Sequence, residues 1–211
     1  MTWAVGTAPQ EEGPVRFGVL ALQGAFSAHV EVLRRIGVDT LLVRSSEELD
    51  RVDALVLPGG ESTTMSNLLA RHDLGDRLRE RLRNGLPAFG TCAGMILLAS
   101  TIVDGRADQI ALEILDITVR RNGYGRQVDS FETDIAVEGL DDPFHAVFIR
   151  APIVERTGNG VEVMALDPQG NPALVRQGRI LATSFHPELT ADDRIHRMFV
   201  ESVLATAERS L

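Results

Sequence analysis

The stretch Pro87-Ala88-Phe89-Gly90-Thr91-Cys92-Ala93-Gly94-Met95-Ile96-Leu97-Leu98-Ala99 restricts the fold more than any other part of the chain. A Pro-led apolar stub meets Gly90, then Cys92 and Gly94, and then an apolar run able to form a buried helix. Gly-x-Cys-x-Gly between a short strand and a helix is a nucleophile elbow with cysteine at its apex. The small residues let the backbone turn sharply and let helix and strand approach closely. The apex side chain is left at the C-terminal end of the strand, near a helix N-terminus whose partial positive charge favours a thiolate. Two readings of Cys92 stand at this point. It is a small packed hydrophobe, the usual fate of a free cysteine, or it is a nucleophile, for which the costly elbow geometry argues.

An elbow of this kind needs a parallel sheet, and the residues before it supply one. Val15 to Leu22 is a nearly continuous apolar run, as expected of a buried parallel strand. Ser27 to Ile36 has helical spacing, with Val30, Leu33 and Ile36 facing inward and Gly37 as the C-terminal cap. Asp39 to Arg44 reads as a second strand, Ser45-x-x-Glu48 as a capping box, and Ala54 to Leu57 as a third strand. This β-α-β-α-β order predicts a doubly wound parallel sheet. Thr64 to Arg71 and Gly75 to Asn84 are expected helices, the second with a solvated Arg-rich face.

After Ala99 the helical periodicity fades. Ile114 to Arg120, Ser130 to Val137, Ala146 to Ile149, Gly160 to Leu166, Pro172 to Arg176 and Arg179 to Thr183 read as antiparallel strands that extend or flank the sheet. Thr190 to Glu208 reads as a long helix, opened by a capping-box variant at Thr190 and Asp193, with Ile195, Met198, Phe199 and Val203 inward. The expected fold class is therefore α/β: three layers, flavodoxin-like, with a central mostly parallel sheet, helices on both faces and added antiparallel strands. Residues 1–14 read as a mobile extension and residues 15–211 as a single domain.

Bulk properties remove several classes of function. The chain of 211 residues carries a net charge of -9 and has no basic cluster, which argues against a nucleic-acid footprint. No apolar run reaches the roughly 18 residues of a membrane span. The first residues lack the basic and apolar regions of a secretory signal. One cysteine permits no internal disulfide and fits a reducing cytoplasm. Cys and His have no metal-ligand spacing, so neither a metal nor another cofactor is expected.

A cysteine nucleophile needs a base, and the base needs an orienting group. Of the five histidines, His29 and His196 fall in amphipathic helices and are expected at the surface or its boundary. His72 ends a helix, and His145 sits in an Asp-Asp-Pro-Phe-His turn. His186 differs, because a strand delivers it in Ser184-Phe185-His186-Pro187-Glu188. In extended backbone residues i and i+2 share a side, so Glu188 can accept one ring N–H and leave the other nitrogen for the thiol. The competing reading is an ordinary His–Glu pair in a loop. Pro58-Gly59-Gly60-Glu61-Ser62-Thr63-Thr64 follows the third strand, where open α/β sheets bind ligands. Its competing reading is a plain loop with Ser62 or Thr63 as N-cap. For acyl transfer, the backbone N–H of Ala93 and one from the Gly59-Gly60 turn, at Gly60, are the candidate oxyanion donors.

Taken together, Val19-Leu20-Ala21-Leu22-Gln23-Gly24-Ala25, Leu57 to Thr64, Phe89 to Gly94, Arg121 to Phe131, Phe148-Ile149-Arg150-Ala151-Pro152 and Ser184 to Leu189 resemble the class I glutamine amidotransferase family. Within that family the chain is similar to the glutaminase subunits of pyridoxal 5′-phosphate synthases, over roughly Arg16 to Thr206. The resemblance implies Cys92 as nucleophile, His186 as base and Glu188 as orienter. It also implies L-glutamine contacts from Gly60, Glu61, Ser62, Arg121, Ile149 and Arg150. The implied reaction yields glutamate and ammonia through a thioester, with ammonia passed to a synthase subunit in a hetero-oligomeric complex. On charge alone Arg121 and Arg150 read as surface residues; an arginine does suit the α-carboxylate of glutamine, and Glu61 its ammonium. Three alternatives stay open: a glutaminase serving another synthase, such as that of imidazole glycerol phosphate, a hydrolase of γ-glutamyl peptides, and a non-catalytic stabilising subunit.

Overall fold

The computed structural model describes residues 14–105, 109–121 and 130–207. Residues 1–13 of the expected extension, residues 122–129 of the Arg121 to Phe131 stretch and the last residue of the expected final helix lie outside the described residues.

The chain opens with β1 (Arg16–Leu20), α1 (Phe26–Ile36), β2 (Asp39–Val43), α2 (Ser46–Leu49) and β3 (Ala54–Leu57), in the order expected. Gly37 takes a left-handed φ of 93° and its N–H reaches the carbonyls of Leu33 and Arg34, which closes α1. Ser45 and Glu48 form a complete capping box on α2. Next come α3 (Ser62–Arg71), α4 (Gly75–Arg83), β4 (Ala88–Thr91) and α5 (Ala93–Leu98). Helix α3 begins two residues before the expected Thr64. Its N-cap is Glu61, not Ser62 or Thr63: the Glu61 carboxylate accepts the N–H groups of Thr63 at 3.0 Å and Thr64 at 2.7 Å.

The second half contains β5 (Ala99–Val103), β6 (Leu115–Arg120), β7 (Ser130–Ile135), β8 (Phe144–Ile149), β9 (Ile153–Thr157), β10 (Glu162–Leu166), β11 (Pro172–Gln177), β12 (Ile180–Thr183) and α6 (Arg194–Ala207). Strands β5 and β9 have no counterpart in the sequence reading. The main sheet has the order β10-β11-β12-β4-β3-β1-β2. It is parallel from β12 to β2, and β10 and β11 add to it antiparallel. The remaining strands form separate sheets, β5-β6-β9 and β7-β8. Strands β5 and β6 run parallel, which departs from the expected antiparallel flank.

Alternation along the central strands feeds two cores. Phe17, Val19, Ala54 and Val56 pack with Val30 and Leu33 of α1 and Phe199 and Val203 of α6. Leu55 and Leu57 pack with Met65 and Leu69 of α3, Leu78 of α4 and Leu97 of α5. Each buried Val, Leu, Met or Phe among them stabilises the fold by about 1.5–3 kcal/mol. The result is the three-layer arrangement anticipated above. The capping box expected at Thr190 and Asp193 does not form. Pro187–Leu189 is a single 3₁₀ turn, the Thr190 hydroxyl donates to the Pro187 carbonyl at 3.2 Å, and Asp192 accepts the Arg194 N–H at 3.0 Å where α6 begins. Among the described residues no helix is long and apolar enough to cross a membrane.

Candidate active site

Cys92 lies where β4 passes into α5, with φ 47° and ψ −99°. For a non-glycine residue such a conformation costs about 1–3 kcal/mol and persists only where its surroundings enforce it. Here the Cys92 N–H donates to the Thr183 carbonyl at 2.8 Å, and the Cys92 carbonyl accepts the Ile96 N–H at 3.1 Å. The flanking glycines are required by contact. A Cβ on Gly94 would stand 2.1 Å from the Leu57 carbonyl oxygen, and one on Gly90 would stand 2.6 Å from the Leu98 side chain. Only glycine lets α5 lie this close to β3 and β4.

Strand β12 pairs with β4 so that Thr183 is opposite Thr91, which carries the chain after β12 to the elbow. The His186 N–H donates to the Val147 carbonyl at 2.8 Å, tying it to β8. Its Nδ1 lies 2.7 Å from Glu188 Oε1, and its ring and Cys92 line the same cavity. The sequence reading derived this pairing from extended backbone. The structure achieves it differently, because the chain turns into a 3₁₀ helix at Pro187 and folds Glu188 back onto the ring. Gly59 makes room for the base, since a Cβ there would stand 2.3 Å from His186 Cε1.

Electrostatics follow from burial and these contacts. Burial opposes protonation of His186, but hydrogen bonds to Cys92 and Glu188 outweigh it and raise its pKa to about 10. Burial likewise opposes ionisation of Glu188; the nearby His29 ring and the hydrogen bond from His186 overcome it and hold the carboxyl below its ordinary range.

A cavity of about 250 Å³ opens beside Cys92 and His186. All six residues given to substrate by the resemblance line it: Gly60, Glu61, Ser62, Arg121, Ile149 and Arg150. Its volume is below the roughly 300–1,000 Å³ of drug-sized pockets and suits a smaller ligand. Arg121 donates to Glu61 Oε1 at 3.2 Å and to Gln109 Oε1 at 2.7 Å, and Gln109 donates in turn to the Ser62 hydroxyl at 3.0 Å. Partial burial opposes ionisation of Glu61, but hydrogen bonds from Thr64 and Thr63 lower its pKa to about 2. The Gly59 carbonyl accepts the Ala25 N–H at 2.9 Å, so the N–H of Gly60 points away from Ala25 across the planar peptide. Gly24 allows this approach, with φ 94° and no Cβ to strike that carbonyl. A larger groove of about 490 Å³ lies at the opposite ends of the strands, around Arg16, Pro87 and Arg179.

Four residues at or behind the site lie outside the site residues expected from the sequence. Gln23 lines the cavity and accepts the Glu61 N–H at 2.9 Å, and Gln109 bridges Arg121 to Ser62. His29 and His196, expected at the surface, are fully buried behind the elbow, with His29 Nδ1 2.9 Å from His196 Nε2. Their burial was readable. His29 begins the apolar series Val32, Leu33, Ile36, and His196 begins the series Phe199, Val200, Val203, both at helical i, i+3, i+4, i+7 spacing.

The model of the SNO glutamine amidotransferase family matches residues 19–205. A pyridoxal 5′-phosphate synthase subunit PdxT of Mycobacteroides abscessus is 61% identical over 188 residues, covering 89% of this chain and 97% of that protein. The PdxT of Nocardia farcinica is 59% identical, covering 92% of this chain and 88% of its own. A crystal structure of a glutamine amidotransferase superposes with a TM-score of 0.83 at 51% identity, covering 89% of this chain and 98% of that one. A putative GMP synthase subunit of Thermoplasma acidophilum, 22% identical with a TM-score of 0.68 over 95% of this chain and 99% of its own, shares the fold.

Proposed function

The chain belongs to the SNO glutamine amidotransferase family, and on that premise we propose that it hydrolyses L-glutamine to L-glutamate and ammonia as the glutaminase subunit of a pyridoxal 5′-phosphate synthase. The observation that carries the mechanism is the strained elbow at Cys92 with the His186–Glu188 pair beside it. His186 takes the Cys92 proton, and the resulting thiolate attacks the side-chain amide carbon of glutamine. The tetrahedral oxyanion faces the N–H groups of Ala93 and Gly60. His186 gives its proton to the departing nitrogen, and a thioester remains on Cys92. Water then attacks that carbonyl while His186 takes a proton from it, and glutamate leaves. Glu188 holds the imidazole through Nδ1 throughout.

Glutamine sits in the cavity with its α-carboxylate toward Arg121 and Arg150, and Gly60, Glu61, Ser62 and Ile149 complete the site. The ammonia passes to a synthase subunit in a hetero-oligomeric complex in the cytoplasm, and residues 15–211 act as one glutaminase domain. The PdxT relatives support this reading over a glutaminase for imidazole glycerol phosphate, because their names place them in pyridoxal 5′-phosphate synthases. The test is ammonia release from L-glutamine, with and without the synthase subunit. Wild type is expected to release ammonia when the synthase is present, and Cys92→Ala to release none. No release by wild type in either setting refutes the function; release by Cys92→Ala refutes the mechanism.

A further inference from the structure

Behind the candidate triad lies a polar cluster to which the mechanism above gives no part. His29 of α1 and His196 of α6 are both fully buried, with Phe89 edge-on to each ring at 6.3 and 5.5 Å between centroids. His29 Nδ1 lies 2.9 Å from His196 Nε2. His29 Nε2 lies 3.2 Å from the hydroxyl of Thr91, the residue before Cys92, and 3.5 Å from Glu188 Oε2. That carboxylate oxygen is buried and, at this distance from His29, makes no hydrogen bond among the described residues, and neither does His196 Nδ1.

These contacts allow two proton arrangements, one with Thr91 donating to His29 Nε2 and one with His29 Nε2 donating to Thr91, and the unpartnered His196 Nδ1 favours the second. A buried N–H without an acceptor costs more than a buried lone pair without a donor, because the donor loses a strong hydrogen bond to water. His196 Nδ1 therefore carries the lone pair and His196 Nε2 the proton. That proton is donated to His29 Nδ1, which must then be the acceptor. The proton of His29 is left on Nε2, the nitrogen that faces Thr91 and Glu188.

We propose that His29 is a positioning residue for glutamine hydrolysis: a neutral ring protonated on Nε2, a tautomer imposed by His196, which holds Thr91 and the Glu188 carboxylate in place beneath the elbow. This rests on the triad reading. Glu188 then receives the His186 N–H on Oε1, while the His29 N–H bonds the Thr91 hydroxyl and lies 3.5 Å from Oε2. Burial keeps His29 uncharged and brings His196 to a pKa of about 3, so both stay neutral at physiological pH. The groups facing them include Glu188 and His186 from the β12–α6 segment, Thr91 from β4, and Asp193 and Arg35 nearer His196. Since His29 is uncharged, it acts on Glu188 as an N–H dipole.

Two measurements test this. In wild-type protein with ¹⁵N-labelled histidine, long-range ¹H–¹⁵N spectra distinguish the two neutral tautomers. Protons on Nε2 of both His29 and His196 are expected; a proton on His29 Nδ1 overturns the proposal. In steady-state hydrolysis with the synthase subunit present, His29→Leu is expected to lower kcat by about 10- to 100-fold, as loss of an orienting partner typically does, with little change in KM. His29→Gln, which restores an N–H donor of similar reach, is expected to recover most of that loss. A His29→Leu enzyme with wild-type kcat overturns the proposal, as does a His29→Gln enzyme as slow as His29→Leu. Where His29→Leu fails to fold, the wild-type spectrum and the His29→Gln kinetics decide. Glu188→Gln runs alongside: if it matches wild type, the triad reading itself falls, whereas a slow Glu188→Gln with an unaffected His29→Leu sinks only the role of His29.

Discussion

Cys92 keeps a backbone conformation that glycine alone adopts freely, and its two glycine neighbours exist to let it do so. Gly94 is the more exacting of the two, because the atom a side chain would strike is the Leu57 carbonyl oxygen at 2.1 Å, a main-chain atom of β3 that cannot swing aside. Gly94→Ala is therefore expected to destabilise the protein by about 1–3 kcal/mol or more and to abolish glutaminase activity, as read by the denaturant midpoint and by ammonia release. An unchanged midpoint would mean that α5 tolerates displacement. At this scale the sequence was legible where geometry is local. Gly-x-Cys-x-Gly marks the turn within five consecutive residues, and His186-Pro187-Glu188 keeps base and orienter within reach by chain connectivity. His29 and His196 are buried rather than at the surface or its boundary because their spacing places each on an apolar stripe, which outweighs the polarity of the ring. Gln109 was out of reach, since its partners Ser62 and Arg121 are brought to it by separate elements.

Helix α3 shows how one element serves both fold and site. Its N-cap Glu61 satisfies the N–H groups of Thr63 and Thr64 and also anchors Arg121 at the mouth of the cavity. Glu61→Ala is expected to cost about 0.5–2 kcal/mol as a lost cap and, by freeing Arg121, to raise KM for glutamine more than it lowers kcat. Steady-state kinetics beside a denaturation curve check both parts; a variant with wild-type KM would remove Glu61 from the substrate site. Elements β1 to β4 and α1 to α4 could be read from the sequence because each has a clear period and a punctuating turn. Strand β5 could not. Ala99 leaves α5 directly into extended backbone, φ −59° and ψ 150°, with no Gly or Pro to mark the change. Strand β9 is five residues of mixed polarity, IVERT, and gains its identity only from pairing with β6.

Across the whole molecule, four neighbouring parallel strands, β12, β4, β3 and β1, end on one side of the sheet, and each contributes a part of the site just beyond its last residue. They deliver His186 and Glu188, Cys92, the Gly59-Gly60-Glu61 turn and Gln23. This is the ligand-binding end of an open α/β sheet. The parallel order was inferable from alternating strands and helices, but the assignment of later strands to three different sheets depends on contacts between distant segments and left no local trace. The central claim is that Cys92 attacks the glutamine side chain to form a thioester. Its most direct test is to quench the enzyme with acid during turnover of L-glutamine in the presence of the synthase subunit and to examine its peptides by mass spectrometry. A γ-glutamyl adduct on the peptide containing Cys92 is the expected result. Sustained ammonia release with that peptide unmodified, and with Cys92→Ala still active, would contradict it.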